Sequence, residues 1–461
     1  VRLVHRLLIY VFIASCICWA LAANAENAAT SSAGAAQTPS AQSTFDLLQV
    51  WQVAQQRDPT WAAAQALHRA EQERPVQARA RLLPSLNLNA TGQSSDTREI
   101  STLGNASSSG LGSWNLTLTQ PLWDKSRLEA LRQSEYQAQL AAITRQQAYQ
   151  DLTLRVAQTY FDVLAVQDTL ATLQAQKQAV NSQLQAAQAS FELGGTTVAD
   201  VLEAQARLDL LNASQLQAGV DLQVAQDRLA QIIIERPQQL AGLGSGLNLP
   251  APQPNSVQAW SQQAAQASLA VAGADLDARI AERQLAIAQS GHSPILNLQA
   301  QTGSASNRGI HGVNQGARSL DSSVSLQLSI PLFSGGGISS QVREQAQRLQ
   351  SARHQLESVR RQAIQASRQA FSQVTSGLAQ IAALQAAERS SQSSVQANQT
   401  GYELGVRINI DVLNAQQQLF ETRRALLRVR YDTLLASLRL KAASGTLGEA
   451  DMAAVNQLLA F

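Results

Sequence analysis

Cysteine is nearly absent. The chain has 461 residues and only two cysteines. Both, Cys16 and Cys18, lie in the opening segment VRLVHRLLIYVFIASCICWALAANAE. Arg2 and Arg6 lead this segment, an apolar run follows from Leu7, and Ala23-Asn24-Ala25 forms an A-x-A cleavage site. These are the marks of a secretory signal peptide over residues 1–25. Lipidation of Cys16 is not expected, because apolar residues rather than a polar spacer follow it. The expected mature chain then holds no cysteine, which excludes a disulfide, a thiolate nucleophile or a cysteine-bound metal. Charge of one sign is missing too. Without Arg2 and Arg6 there are 33 basic and 33 acidic residues, so nothing calls for nucleic acid as a partner. After the leader there is no apolar run of 18 residues, so no transmembrane helix is expected. An exported chain of this kind must meet a membrane some other way. After the leader, histidine is sparse: His68, His292, His311 and His354 are scattered, with no H-E-x-x-H and no G-x-S-x-G. FSGGGISS at 333–340 lacks the G-K-[ST] ending of a phosphate loop and reads as a flexible strand-to-helix joint. No enzyme, cofactor or metal is expected.

What the chain does have is a repeat. FELGGTTVADVLEAQ begins at Phe191 and YELGVRINIDVLNAQ at Tyr402, an offset of 211. Pro84 and Pro121 return as Pro294 and Pro331, an offset of 210. Each half reads helix, strand, strand, long helix, LG turn, long helix. The expected organisation is a linker at 26–43, a first repeat at 44–236, a Pro/Gly-rich joint at 237–256, a second repeat at 257–444 and a tail at 445–461. Pro59 breaks the first helical pattern, and Pro75 is expected to kink or shift the next.

Period-2 alternation marks the strands. Leu86, Leu88 and Ala90 alternate with Asn87, Asn89 and Thr91; Trp114, Leu116 and Leu118 alternate with Asn115, Thr117 and Thr119. PILNLQAQTG and SVSLQLSIPLF repeat the pair in the second half. From Leu122 to Leu193 there is neither Gly nor Pro, and a helix of about 65 residues spans on the order of 100 Å. Leu413, Phe420, Leu427 and Leu434 recur at every seventh position, as in a coiled coil. Such a rod must pack on copies or partners. Four strands near the 9–11 residues needed to cross a membrane cannot close a barrel, for which about 8 strands is the minimum. An open edge in lipid leaves backbone groups unpaired, so the strands require oligomerisation.

Gly194 and Gly405 fit the left-handed residue that ends a helix. Thr197 and Asp200 form a capping-box pattern, and Asp411 occupies the equivalent first turn. In one reading these acids merely start helices. The copies differ, however: Phe191 becomes Tyr402 and Thr196 becomes Arg407. A phenol and a guanidinium beside the second turn are suited to donate to Asp200 of the first.

The leader, the doubled unit, GHSPILNL at 291–298 and YELGVRINIDVLNAQQQLF at 402–420 together resemble the TolC family of outer-membrane efflux and secretion channels. The similarity runs from about Phe45 to about Asp451, and its most specific part begins at Tyr402. It implies a mainly α fold with a small β part: a homotrimer whose 12-stranded β-barrel sits in outer-membrane lipid and continues as an α-helical tunnel across the periplasm. It implies docking to a periplasmic adaptor and an inner-membrane transporter. It places Asp200, Tyr402 and Arg407 at the closed periplasmic entrance, with Asp411 as a ring of carboxylates. Where the family motif often has a second acid, this chain has Asn414, so weaker cation selectivity is expected. The competing reading is an exported trimeric coiled-coil adhesin or stalk, which predicts neither four alternating strands nor paired LG hairpins.

Overall fold

The computed structural model describes residues 45–98, 106–236, 239–244, 249–309 and 318–460. The expected leader and linker, part of the joint and Phe461 lie outside the described residues.

Two short helices open the fold. α1 (Leu47–Arg57) begins at a capping box made by Asp46 and Gln49. Asp58 then ends α1 and caps α2 (Pro59–Ala80), with Pro59 in the first turn, where its missing N–H costs nothing. α2 runs on through Pro75 to Ala80 as one helix. The hairpin β1 (Ser85–Arg98) and β2 (Ala106–Trp123) follows. Asp124 caps α3 (Lys125–Glu192), a helix of 68 residues. A glycine turn leads to α4 (Val198–Ile233). The joint contains β3 (Gly242–Leu243). The second half has α5 (Val257–Ala267), α6 (Leu269–Ser290), β4 (Ile295–Gly309), β5 (Arg318–Ser329), α7 (Gly337–Glu403, 67 residues) and α8 (Asn409–Ala443). α9 (Glu449–Asn456) and β6 (Leu459–Ala460) end the described chain. The closing residues thus contain a two-residue strand, paired antiparallel with β3 and not part of the large sheet.

β1, β2, β4 and β5 form one antiparallel sheet in that order. At 14, 18, 15 and 12 residues they exceed the expected length. The register places Leu86 opposite Leu118, Leu88 opposite Leu116, Ala300 beside Leu118, and Leu298 opposite Leu326. One face is therefore mainly apolar, interrupted by Gln120 opposite Leu298 and by Thr302 and Ser322, whose hydroxyls bond to each other. The other carries Asn87, Asn89, Asn115, Thr117, Gln299 and Gln327, and Asn89 donates to Asn115 across it. Within one chain the apolar face lies open: Leu86, Leu88, Val324, Leu326 and Leu328 are all exposed.

The main core lies away from the sheet, where α1, α3, α4, α8 and α9 meet around Trp51, Tyr160, Phe161, Leu229, Tyr431 and Met452. Full burial of each large side chain contributes about 1.5–3 kcal/mol. The Tyr160 hydroxyl lies 3.2 Å from the Phe45 carbonyl and 2.8 Å from that of Ala241, fastening the joint to α3. Elsewhere the rods touch through thin seams. Leu152, Val156, Val163, Leu173, Val180 and Leu184 of α3 form a buried stripe, and Leu170 beside them is half-buried. On α8 the seven-residue series holds at Leu413, Phe420 and Leu434, but Leu426 is buried while Leu427 is only half-buried. An α-helix drifts relative to a strict heptad, and the seam moves one residue to follow it. Among the described residues no helix is long and apolar enough to cross a membrane.

Candidate functional site at the hairpin ends

Both long hairpins turn on a glycine with positive φ, +79° at Gly194 and +73° at Gly405. A side chain there would force the left-handed region on an L-residue. The two turns are otherwise built differently. At the first, the Thr197 side chain accepts from the Asp200 N–H, and the Asp200 carboxylate accepts from the Thr197 N–H at 3.1 Å. The Thr196 and Thr197 hydroxyls also donate to that carboxylate, at 2.6 and 2.7 Å. These hydroxyl bonds hold the Asp200 pKa below the usual carboxylate value.

At the second turn the N-cap of α8 is Ile408, which has no side-chain cap. The backbone N–H groups of Val406 and Arg407 both donate to the Gly401 carbonyl, at 2.9 and 3.0 Å. Gly401 is buried, and a Cβ on it would lie 2.6 Å from Arg407 Cγ. Arg407, in the turn just before α8, pairs with Asp411 in the first turn of that helix at 3.6 Å.

Among the described residues, no hydrogen bond joins Tyr402 or Arg407 to Asp200 within the chain. Oδ2 of Asp200 accepts from Thr196 and Thr197, and Arg407 faces Asp411. The carboxylate and its two expected donors are therefore placed near the ends of different hairpins without being joined inside one protomer.

Five side chains make the connection instead. Asn409 is 1% exposed. Its Oδ1 accepts from Gln183 Nε2 of α3 at 2.7 Å, and its Nδ2 donates to the Asp200 carbonyl at 3.1 Å. Arg207 of α4 donates to Asn414 Oδ1 at 2.9 Å and also to Gln417 Oε1. Asn414 thus accepts from the first hairpin. Its sequence position had suggested only a constriction residue. Asn409, Gln183 and Arg207 were not singled out from the sequence. A signal existed: Asn409 and Gln416 fall on the same α8 face as Leu413 and Phe420, and a polar residue in an apolar seam needs a partner.

Comparison with known proteins places this geometry. Residues 50–233 and 260–446 match the family described as outer membrane efflux protein. The chain is 33% identical over 423 residues to the outer membrane protein TolC of Escherichia coli strain K12, covering 90% of this chain and 85% of that protein. It is 31% identical over 414 residues to the alkaline protease secretion protein AprF of Pseudomonas aeruginosa, covering 88% of this chain and 85% of that one. Its fold is similar to the Campylobacter jejuni CmeC outer membrane channel, with a TM-score of 0.75, 15% identity and coverage of 94% and 97%. It is also similar to VceC of Vibrio cholerae, with a TM-score of 0.71, 20% identity and coverage of 87% and 96%. Matched in both halves by the family and over nine-tenths of its length by a relative, the chain belongs to the outer membrane efflux protein family.

Proposed function

We propose that this chain acts as a homotrimer, forming the exit duct of efflux and secretion systems across the outer membrane and closed at the hairpin ends when idle. It is a conduit and performs no catalysis. The observation that carries the reading is the unfinished sheet. β1 and β5 are its two edges, and its apolar face is uncovered. In lipid, an unpaired edge costs several kcal/mol for each backbone group, and only closure removes it. Pairing β1 of one copy with β5 of the next satisfies both edges, and three copies give twelve strands around an opening lined by the Asn, Thr and Gln face. The α3–α4 and α7–α8 hairpins then continue as the tunnel wall.

The relatives include the outer membrane protein TolC and a protease secretion protein, AprF, and the fold is shared with the CmeC outer membrane channel. Efflux and protein secretion are accordingly both within the proposed range. A periplasmic adaptor and an inner-membrane transporter supply cargo and opening force, since a partner shifts the closed–open balance only by binding the open state better. Tyr402 and Arg407 tie the second hairpin to Asp200 across copies, and Asp411 rings the constriction.

The test uses purified full-length protein in planar bilayers, with its mass measured in detergent. A species three times the chain mass that conducts weakly when alone supports the proposal. A monomer without conductance overturns it. Conductance unchanged in the double variant Tyr402→Phe, Arg407→Ser removes those residues from the gate.

A further inference from the structure

Arg207 stands two helical turns from Asp200 and is half-buried. Its guanidinium spreads two donors onto two α8 side chains three residues apart, Asn414 and Gln417. Gln417 is itself oriented: its Nε2 donates to Glu421 Oε1 at 2.8 Å, which turns its oxygen toward Arg207. The fork geometry of guanidinium suits two acceptors on one helix face, whereas an ammonium would reach only one well. Beneath the fork a cavity of about 190 Å³ is lined by Leu173, Leu211 and Leu413 and by Gln176, Glu421 and Arg424, so the cation sits where the apolar seam meets polar side chains. α4 and α8 touch over a short stretch, while each lies along its own hairpin partner for its length. Few side chains therefore hold α8 against α4, and Arg207 makes two of the bonds.

We infer that Arg207, through Asn414 and Gln417, is a second latch of the closed duct, set deeper than the turns and contained within one protomer. The inference rests on the gated-duct reading above. Moving α8 away from α4 breaks both bonds at once, leaving a cation and two amides to find water. The repeat supports an asymmetric device. At the offset of 211 the counterparts of Asn414 and Gln417 are Glu203 and Ala206, and that of Arg207 is Gln418. The donor is thus present only on the first hairpin, and the two acceptors only on the second. Asn414 has a job in this chain that a carboxylate would do more strongly. A neutral acceptor leaves the latch weak enough for a partner to release.

The test measures single-channel conductance and open fraction in planar bilayers for the full chain. Arg207→Gln raises the open fraction on the order of tenfold, the scale of losing a charge-assisted hydrogen bond. Arg207→Lys keeps the charge, loses the fork and falls between. Asn414→Asp lowers the open fraction, and this closing effect disappears when combined with Arg207→Gln. Circular dichroism checks that each variant keeps its helices; should Arg207→Gln unfold, Arg207→Lys and Asn414→Asp decide the matter. A conducting wild type with Arg207 variants indistinguishable from it, or closure by Asn414→Asp that persists without Arg207, overturns the latch alone. A wild type that never conducts overturns the duct reading and the latch with it.

Discussion

The two hairpin turns began as copies and are now held by different forces. The first is tied to itself: Thr196, Thr197 and Asp200 form a closed set of bonds around the start of α4. The second has no side-chain cap on Ile408, and its exposed Arg407 reaches only its own Asp411. A turn that fixes its own carboxylate in this way can receive donors without changing shape. A turn with an uncapped helix start, a phenol and a guanidinium has groups to exchange. The second hairpin is the one equipped to change partners, and the first is the frame against which it moves.

The sharpest way to break this comparison is at position 409. Asn409→Leu strips Gln183 and the Asp200 carbonyl of a partner, so about 1–3 kcal/mol is expected to be lost where the hairpins meet. Its counterpart in the first copy, Val198, is exposed, and Val198→Ala should change little. Thermal unfolding of the two variants measures the contrast, and equal losses would end it. Gly401 offers the next effect. Its counterpart is Ser190, yet Gly401→Ser drives a Cβ into Arg407. Crowding of this kind costs about 1–3 kcal/mol when neighbours cannot yield, and less when a flexible arginine swings out. We expect the arginine to move, so the variant should conduct more than the wild type with only a small fall in melting temperature. An unchanged conductance would mean that Arg407 position does not matter to closure.

Helix capping separates the turns on a smaller scale. Thr197→Ala should cost about 1 kcal/mol, and Ile408→Thr should return a fraction of that by supplying the absent cap. Amide hydrogen exchange over the first turns of α4 and α8 reads both. The Asp200 contribution also depends on pH. Its folded pKa lies below the ordinary 3.8, so the carboxylate adds stability that is complete above that value and fades as pH falls through the lower folded value. Protection over the first turn of α4, measured relative to the intrinsic exchange rate at each pH, should therefore fall below about pH 4.

Much of this architecture could be read from residue order alone, and the reason is periodicity. Alternating Leu and Asn at 86–89 can satisfy only a sheet with one apolar face, and a Gly/Pro-free run such as 122–193 can only be a rod. Gly194 and Gly405 were legible because few other residues accept positive φ. The contacts between hairpins were not. Gln183 and Asn409 are 226 positions apart, and Arg207 and Asn414 are 207 apart. Local pattern carries no information about which amides meet at such distances, so Asn414 was read only by its place in a motif. Strand lengths were underread for a similar reason. The upper parts of β1 and β2 are built of Ser and Gly, which lack alternation, yet their ladder continues through backbone bonds that need no side chain.

The smallest effect concerns charge at the constriction, and it again divides the turns. Asp200 is surrounded by neutral hydroxyls, whereas Asp411 is partly compensated by Arg407 at 3.6 Å. In the proposed trimer, rings of carboxylate favour cations. Here each Asp411 carboxylate has a guanidinium beside it, and the residue three positions on is the neutral Asn414. Asp411→Ala leaves Arg407 uncompensated and should shift the reversal potential toward anions. Arg407→Ser uncovers the carboxylate and should shift it by a similar amount toward cations. Reversal potentials measured across a salt gradient compare the two variants. If Asp411→Ala shifted the potential and Arg407→Ser did not, Arg407 would not be screening the ring, and the exchange of partners at the second turn would have to involve a different cation.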